Sequence, residues 1–516
     1  MTFRCVPIVR ALLAAALLAP AAPRTLAAQG ADNLAPTRAS GATGASPSGT
    51  SRTAAAVSSL RERIDAVLAR PSLSRAEWGI EVRDAATGGL LYARNADRPV
   101  IPASNLKLVV TAAAAHHLPA DYRYRTTVYG TGPVQGGVLD GDLVLYGRGD
   151  PLISDRYGRD RMWAWEALAD SLRARGIRRV TGGVVADDSY FEATHLRPDW
   201  DPYDLLWWYA APVGALGFND NSVVVHIRPG AVGQRARVTW EPRSDYVEME
   251  NRTVTVGARG RSTVDLERAG PRRIRAVGQV PSSAGADVEF FAVSNGAEYA
   301  GTTFRETLER RGIAVGRATV RVVADPARSP ATGATALAEH RSDPLGRVIG
   351  PILLNSQNWI AETLLKTVGR EVRGEGSWDA GIAVERDFLT RVVGVDAADV
   401  TLRDGSGLSE GNRVTARALV QLLAYVHRTP RMRIVRDNLP VSGRDGSLRS
   451  RFPDMPGRVA AKTGYIGGVD SLGGFVTMAD GRTAVFAIIA NKSGQPSSRM
   501  KAAIDDVVRA VAATRS

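Results

Sequence analysis

Apolar positions Leu60, Ile64, Val67 and Leu68 recur at helical spacing just behind Ser59-Leu60-Arg61-Glu62, a serine and a glutamate at capping-box distance. Trp78-Gly79-Ile80-Glu81-Val82-Arg83 then alternates as a strand, and a turn over Asp84 to Gly89 leads to Leu90-Leu91-Tyr92, which predicts a hairpin. Pro102-Ala103-Ser104 runs into an apolar, alanine-rich stretch ending near His116-His117, the pattern of a helix start. From about 119 to 339 the periodicity changes to short β-like runs with Gly and Asp turns, at 137–146, 180–185, 223–227 and 253–256. Helical patches at 162–175 and 304–311 interrupt them. From about 340 helices return, at 345–354, from 355 to 366, and after Asn412-Arg413-Val414-Thr415, where Leu419, Leu422, Leu423 and Val426 form the buried side. Strands follow at 458–463, 473–478 and 484–491, then an amphipathic helix over 500–511. The hairpin and the late strands make one five-stranded unit only if the segments before 119 and after 339 come together. The middle is then an insertion of one or two β-rich domains.

The first residues are of a different kind. Arg4 and Arg10 precede a short Ala-Leu run, and Leu26-Ala27-Ala28 offers small residues for cleavage. That is the form of a secretory signal over residues 1–28. Residues 29–56 hold Ala, Ser, Gly, Thr and Pro with almost no large apolar side chains, a disordered tether rather than a core. An exported protein of the periplasm or cell envelope is expected, and no other stretch approaches the length of a membrane span. Cys5 is the single cysteine and lies inside the leader, so the mature chain is expected to have neither a disulfide nor a thiolate metal site. Formal charge falls from +13 to +10 as Arg4, Arg10 and Arg24 leave, which suits anionic envelope polymers. The chain lacks a dense basic run, so nucleic acid is not expected as a partner.

Among 66 basic residues only five are lysines: Lys107, Lys366, Lys462, Lys492 and Lys501. Arginine does not give up its proton in a protein, whereas lysine near other cations does, so a retained lysine is a candidate for a true amine requirement. Two of the five stand in short motifs. Ser104 and Lys107 are three apart on one helical face, a hydroxyl beside an amine. Ser356-Gln357-Asn358 and Lys462-Thr463-Gly464 follow in order, the last at the end of a predicted strand. Taken singly, Ser104 and Ser356 read as helix caps and Lys462 as a solvated strand end. The ordered set resembles the signature of penicillin-binding proteins and class A β-lactamases.

The chain more narrowly resembles the D-alanyl-D-alanine carboxypeptidase/endopeptidase family of the penicillin-binding protein 4 type, peptidase family S13, from about residue 57 to the end. Further matching stretches are Gly147-Arg148-Gly149-Asp150-Pro151, residues 209–216, Asp404-Gly405-Ser406-Gly407-Leu408-Ser409, and residues 439–448. The resemblance implies an α+β fold: a β-lactamase/penicillin-binding transpeptidase-like domain, with a five-stranded antiparallel sheet and helices on both faces, carrying a large inserted β-rich region. It implies a catalytic domain at 57–118 and 340–516, an inserted α/β domain at 119–226 and 276–339, and a small β domain at 227–275.

It also implies the chemistry. Ser104 would be the nucleophile toward D-alanyl peptides of peptidoglycan, and Lys107 its base, with the helix terminus and Lys462 favouring the neutral amine. Ser356, with Lys462, would relay a proton to the leaving amine, and Asn358 would hold the substrate backbone and orient Lys107. Lys462 and Thr463 would bind the terminal carboxylate, Gly464 would keep the strand edge clear, and the N–H groups of Ser104 and Tyr465 would form the oxyanion hole. β-Lactams would be covalent inhibitors; no metal or other cofactor is expected. Gln357 and Tyr465 depart from the commoner residues of the pattern, and the tyrosine puts a hydroxyl contact to the substrate carboxylate in doubt. A serine β-lactamase and a non-catalytic binding or sensor module remain the alternatives. Three other patterns are set aside. Gly407-Leu408-Ser409-Glu410-Gly411 has nucleophile-elbow form, but only His427 follows it and too soon. Ser498-Arg499-Met500-Lys501 has nothing downstream to complete it, and Arg148-Gly149-Asp150 reads as a turn.

Overall fold

The computed structural model describes residues 59–157 and 160–515. The leader, Cys5 and the tether expected over 29–56 lie outside the described residues. Helix α1 (Leu60–Leu68) opens on a reciprocal capping box: Ser59 N–H donates to Glu62 at 2.7 Å and Glu62 N–H to Ser59 Oγ at 3.3 Å. Strands β1 (Glu77–Asp84) and β2 (Leu90–Arg94) form the predicted hairpin, with Asp84 Oδ1 taking the N–H groups of Ala86 and Thr87 in the turn. The chain then makes a 3₁₀ turn, Ala103–Leu106, and only afterwards helix α2 (Lys107–His117). Ser104 caps neither element. Helix α2 is buried from Lys107 to Ala115, and its alanines let neighbouring helices pack close.

The inserted region holds β3 (Arg125–Gly130), β4 (Leu143–Gly147), α3 (Trp163–Ala174), β5 (Val184–Asp187), β6 (Ser222–Arg228), β7 (Arg237–Glu241), β8 (Asp287–Ala292), α4 (Gly296–Arg310), β9 (Arg321–Val323) and β10 (Thr335–Arg341). One mixed sheet runs β9-β5-β4-β3-β10, a second runs β7-β6-β8, and smaller sheets complete the region. Aromatic rings pack inside its aliphatic core: Trp165 stacks on Phe218 at 5.5 Å and meets Phe304 edge-on at 5.6 Å. The run at 180–185, expected as one strand, is two, Arg179–Val180 and β5, in different sheets. Gly182 and Gly183 are the reason. Gly182 N–H bonds Gly141 O at 2.9 Å, and a Cβ on Gly182 would stand 2.1 Å from Asp142 Oδ1, so the strand has to break there. The run at 137–146 divides opposite this point, into Val138–Leu139 and β4.

Past the insertion come α5 (Leu345–Leu354), α6 (Asn358–Arg373), α7 (Trp378–Asp387), α8 (Ala416–Arg428), β11 (Val459–Ile466), β12 (Val469–Thr477), β13 (Thr483–Asn491) and α9 (Ser497–Ala512). The sheet order is β2-β1-β13-β12-β11, antiparallel throughout, so the early hairpin closes on the last strands of the chain. Strand alternation divides the core. Val485, Ala487 and Ile489 face the cluster containing α2, α5, α6 and α8, whereas Ala484, Phe486 and Ile488 face α1 and α9. This is the α+β architecture with helices on both faces, and the β-rich insertion leaves and re-enters it between α2 and α5.

Helix α6 ties the insertion to this domain. Trp359 Nε1 donates to Pro212 O at 2.9 Å, and Lys366 Nζ donates to Thr194 O at 2.7 Å and Val213 O at 3.1 Å. Lys366 is buried and sits 3.6 Å from the Trp378 ring centroid; burial lowers its pKa to about 8. Among the described residues no helix is long and apolar enough to cross a membrane.

Candidate active site

Ala103, just before the serine, adopts φ 49° although it carries a side chain, and it is fully buried. Gly407 clamps it from the other side: at φ 82°, a Cβ there would lie 2.0 Å from Ala103 O. The strained turn fixes Ser104 at the mouth of the cleft, with Lys107 one turn below.

Lys107 is wholly buried, and its Nζ has three neighbours: Ser104 Oγ at 2.8 Å, Asn358 Oδ1 at 2.7 Å and Ser406 O at 2.7 Å. The two oxygens of Asn358 and Ser406 can only accept. A neutral amine has two hydrogens and one lone pair, so once those oxygens take the hydrogens the lone pair faces the Ser104 hydroxyl. Burial lowers the pKa of Lys107 to about 7, against Asp404 and then Glu362, which favour the ammonium form. The helix terminus and Lys462, expected as the causes, are not what dominates. The amine lies too deep for anything to outweigh desolvation.

Asn358, the first residue of α6, can aim its oxygen at Lys107 because its Nδ2 donates to Tyr209 O at 2.9 Å. Ser356 sits in the link between α5 and α6 with φ 59°, again a left-handed residue with a side chain. It does not cap α6; Lys462 Nζ donates to its Oγ at 2.9 Å and to Thr463 O at 2.6 Å. Lys462 on β11 is fully buried rather than a solvated strand end, and burial, then repulsion from Lys107, pushes its pKa well below the usual lysine value.

Strand β11 forms the opposite wall. A Cβ on Gly464 would stand 2.2 Å from Ser471 Oγ and 3.0 Å from both Ser104 N and Pro102 O, so only glycine lets the strand lie against the nucleophile's backbone. Thr463 Oγ1 donates to Ser447 Oγ at 2.8 Å at the rim. Tyr465 is exposed, with Lys501 Nζ 5.3 Å from its ring centroid. Thus Ser104, Lys107, Ser356, Asn358 and Lys462 converge in one cleft, and Thr463, Gly464 and Tyr465 continue along its edge.

Sequence reasoning did not assign Ser447, Tyr209, or the buried carboxyl groups Asp404 and Glu362. Ser447, Tyr209 and Asp404 fall in stretches already noted for their resemblance; nothing in spacing marks Glu362. Gln357 is buried beside Tyr157. The elbow pattern has no triad: Ser409 is buried and its Oγ donates to Asp199, while His427 lies against Phe475. Asp150 is likewise buried, taking Leu152 N–H at 3.0 Å, and Ser498 starts α9. Among the described residues no group of three or more His, Cys, Asp or Glu is arranged to hold a metal ion.

A sequence profile of the D-Ala-D-Ala carboxypeptidase 3 (S13) family matches residues 60–511. A D-alanyl-D-alanine carboxypeptidase from an Actinomadura species is 36% identical over 469 residues, covering 88% of this chain and 85% of that protein. The carboxypeptidase DacB of Mycolicibacterium smegmatis is 31% identical over 453 residues, covering 85% of this chain and 81% of its own. The crystal structure of penicillin binding protein 4 (dacB) from Haemophilus influenzae superposes with a TM-score of 0.76 at 22% identity, over 86% of this chain and 97% of that one. At that identity the likeness is one of fold.

Proposed function

Because the chain belongs to the D-Ala-D-Ala carboxypeptidase 3 (S13) family, we propose that it is a serine acyl-transfer peptidase of peptidoglycan that cleaves terminal D-alanyl-D-alanine, D-alanyl cross-links, or both. The single observation that carries the reading is the environment of Lys107: a wholly buried amine 2.8 Å from Ser104 Oγ whose other two neighbours, Asn358 Oδ1 and Ser406 O at 2.7 Å, can only accept.

Ser104 Oγ attacks the D-alanyl carbonyl carbon as its proton passes to Lys107 Nζ. The tetrahedral oxyanion is met by the backbone N–H groups of Ser104 and Tyr465; one such donor contributes roughly a hundredfold or more in rate. The C–N bond then breaks, and the proton held on Lys107 passes through Ser356 Oγ, which Lys462 contacts, to the leaving amine, so that Lys107 is neutral again. Lys462 and Thr463 bind the terminal carboxylate, with Ser447 beside Thr463. Water attacks the ester as Lys107 takes one of its protons, and that proton returns to Ser104 Oγ as the acid leaves. A β-lactam opens on the same serine and stays attached, because its leaving nitrogen remains tethered in the acyl group. The leader over residues 1–28 supports export to the periplasm or envelope, where stem peptides are found.

The test is incubation with defined muropeptides followed by mass analysis. Release of D-alanine from a pentapeptide shows carboxypeptidase action, and splitting of a cross-linked dimer shows endopeptidase action; Ser104→Ala abolishes either. If neither substrate is cut, the reading is wrong. Rapid release of hydrolysed penicillin with muropeptides untouched would make the protein a β-lactamase instead.

A further inference from the structure

Beneath Lys107 lies a tier of carboxyl groups outside the chemistry above. Asp404, Glu362 on α6 and Glu385 on α7 are each 0% exposed. Asp404 is surrounded by donors only. Its Oδ1 takes Gly407 N–H at 2.8 Å and Asn412 Nδ2 at 2.9 Å; its Oδ2 takes Ser409 N–H at 2.6 Å and Trp200 Nε1 at 3.0 Å. Glu362 holds the preceding peptides, taking Ser406 N–H at 2.7 Å, Gly405 N–H at 3.1 Å and Trp378 Nε1 at 2.8 Å.

The Gly407 N–H that Asp404 binds and the Ser406 C=O that Lys107 binds belong to one peptide group. Hydrogen bonds therefore run in a line from the Asp404 carboxylate through that peptide to Lys107 Nζ. A charge on the N–H side polarises the peptide and makes its carbonyl a better acceptor. We propose that Asp404 is a positioning residue for Lys107: through the Ser406–Gly407 peptide it fixes the carbonyl that takes one amine hydrogen, and so aims the lone pair at Ser104. The inference rests on Lys107 being the base.

It also gives the insertion a share in the active site. Trp200, an inserted residue, holds Asp404 Oδ2, and Ser409 Oγ donates to the adjacent Asp199. The charged groups around Lys107 are Asp404 from its loop, Glu362 from α6 and Lys462 from β11, with Glu385 behind Glu362. Burial alone would leave Lys107 a poorer base than its task needs. The two acids return it to about 7, where a general base works best near neutrality.

The experiment measures the acylation rate of the full chain by a fluorescent penicillin across pH, with melting temperature recorded for each variant. Asp404→Asn should lower the plateau rate by on the order of tenfold or more as the lone pair loses its aim. Its acid limb should move about one pH unit lower, because a neighbouring negative charge is gone. Trp200→Phe retains Asp404 but removes a donor from it, leaving more charge for the Gly407 path, so its acid limb should move the other way. If Asp404→Asn does not fold, the upward shift in Trp200→Phe carries the test alone. Unmoved limbs, even with lower melting temperatures, would make Asp404 structural and overturn the proposal. Lys107→Ala separates the two readings. Wild-type acylation in Lys107→Ala would sink the base assignment, whereas a silent Lys107→Ala with unshifted Asp404→Asn and Trp200→Phe would sink the role of Asp404 alone.

Discussion

Asn358 presents its carbonyl to Lys107, at 2.7 Å, because its Nδ2 donates to Tyr209 O on the inserted region. The orientation of one side chain thus depends on how the insertion docks on α6. Asn358→Ala leaves Lys107 with one fewer fixed acceptor, and the amine is free to rotate its lone pair away from Ser104. Penicillin acylation should fall on the order of a hundredfold while circular dichroism stays that of the wild type.

Titration of Lys107 has two consequences of calculable sign. As a base it must be neutral, so acylation should rise through about pH 7 and level off above it. As a buried group, its folded pKa of about 7 lies below the ordinary lysine value of 10.5, so the folded state binds fewer protons between those values. Lys107 therefore costs stability in full below about pH 7, and the cost fades as pH rises toward 10.5. Lys107→Met should abolish acylation yet raise the melting temperature, by more at pH 6 than at pH 9.5.

Gly464→Ala tests the strand wall. The added methyl meets Ser471 Oγ and presses toward Ser104 N and Pro102 O, so β11 must move off the nucleophile. Acylation should drop at least about tenfold, with a stability loss of about 1–3 kcal/mol from overpacking. Chemical denaturation and stopped-flow labelling read the two separately.

Glu385 runs opposite to Lys107. It is fully buried, neither of its oxygens has a hydrogen-bond partner among the described residues, and burial, then Glu362 and Asp404, pushes its pKa well above the ordinary carboxyl value of 4.5. The folded carboxyl keeps its proton where the unfolded one has lost it, so stability declines as pH rises past 4.5. Glu385→Met should gain about 1–3 kcal/mol at pH 8 and less at pH 4. Urea melts at the two pH values give the comparison.

The parts of the site legible in the sequence are those compressed into short motifs. Ser104 and Lys107 share a turn, Ser356 and Asn358 share a helix entrance, and Lys462 to Tyr465 share a strand, so each group is ordered by local geometry. The scarcity of lysine pointed the same way, yet Lys366 shows its limit: that lysine is buried against Trp378 and two inserted carbonyls. The rest is assembled across the fold. Tyr209 contributes only a backbone oxygen, which no side chain announces, and Asp404 acts on Lys107 through a peptide nearly three hundred residues further along the chain. The terminal helices were legible because each buries one periodic face, and the hairpin because Trp78, Ile80 and Val82 alternate ahead of a Gly-Gly turn. The breaks at Gly182 and Asp140 to Asp142 were not, because they depend on two parallel segments passing together from one sheet to another.

The most direct measurement is mass spectrometry of the protein after brief exposure to penicillin, with the adduct mapped by proteolysis. One penicilloyl group on the peptide carrying Ser104 is expected, and none in Ser104→Ala. An adduct on Ser356 or elsewhere, or equal labelling of Ser104→Ala, would contradict the assignment of Ser104 as the nucleophile.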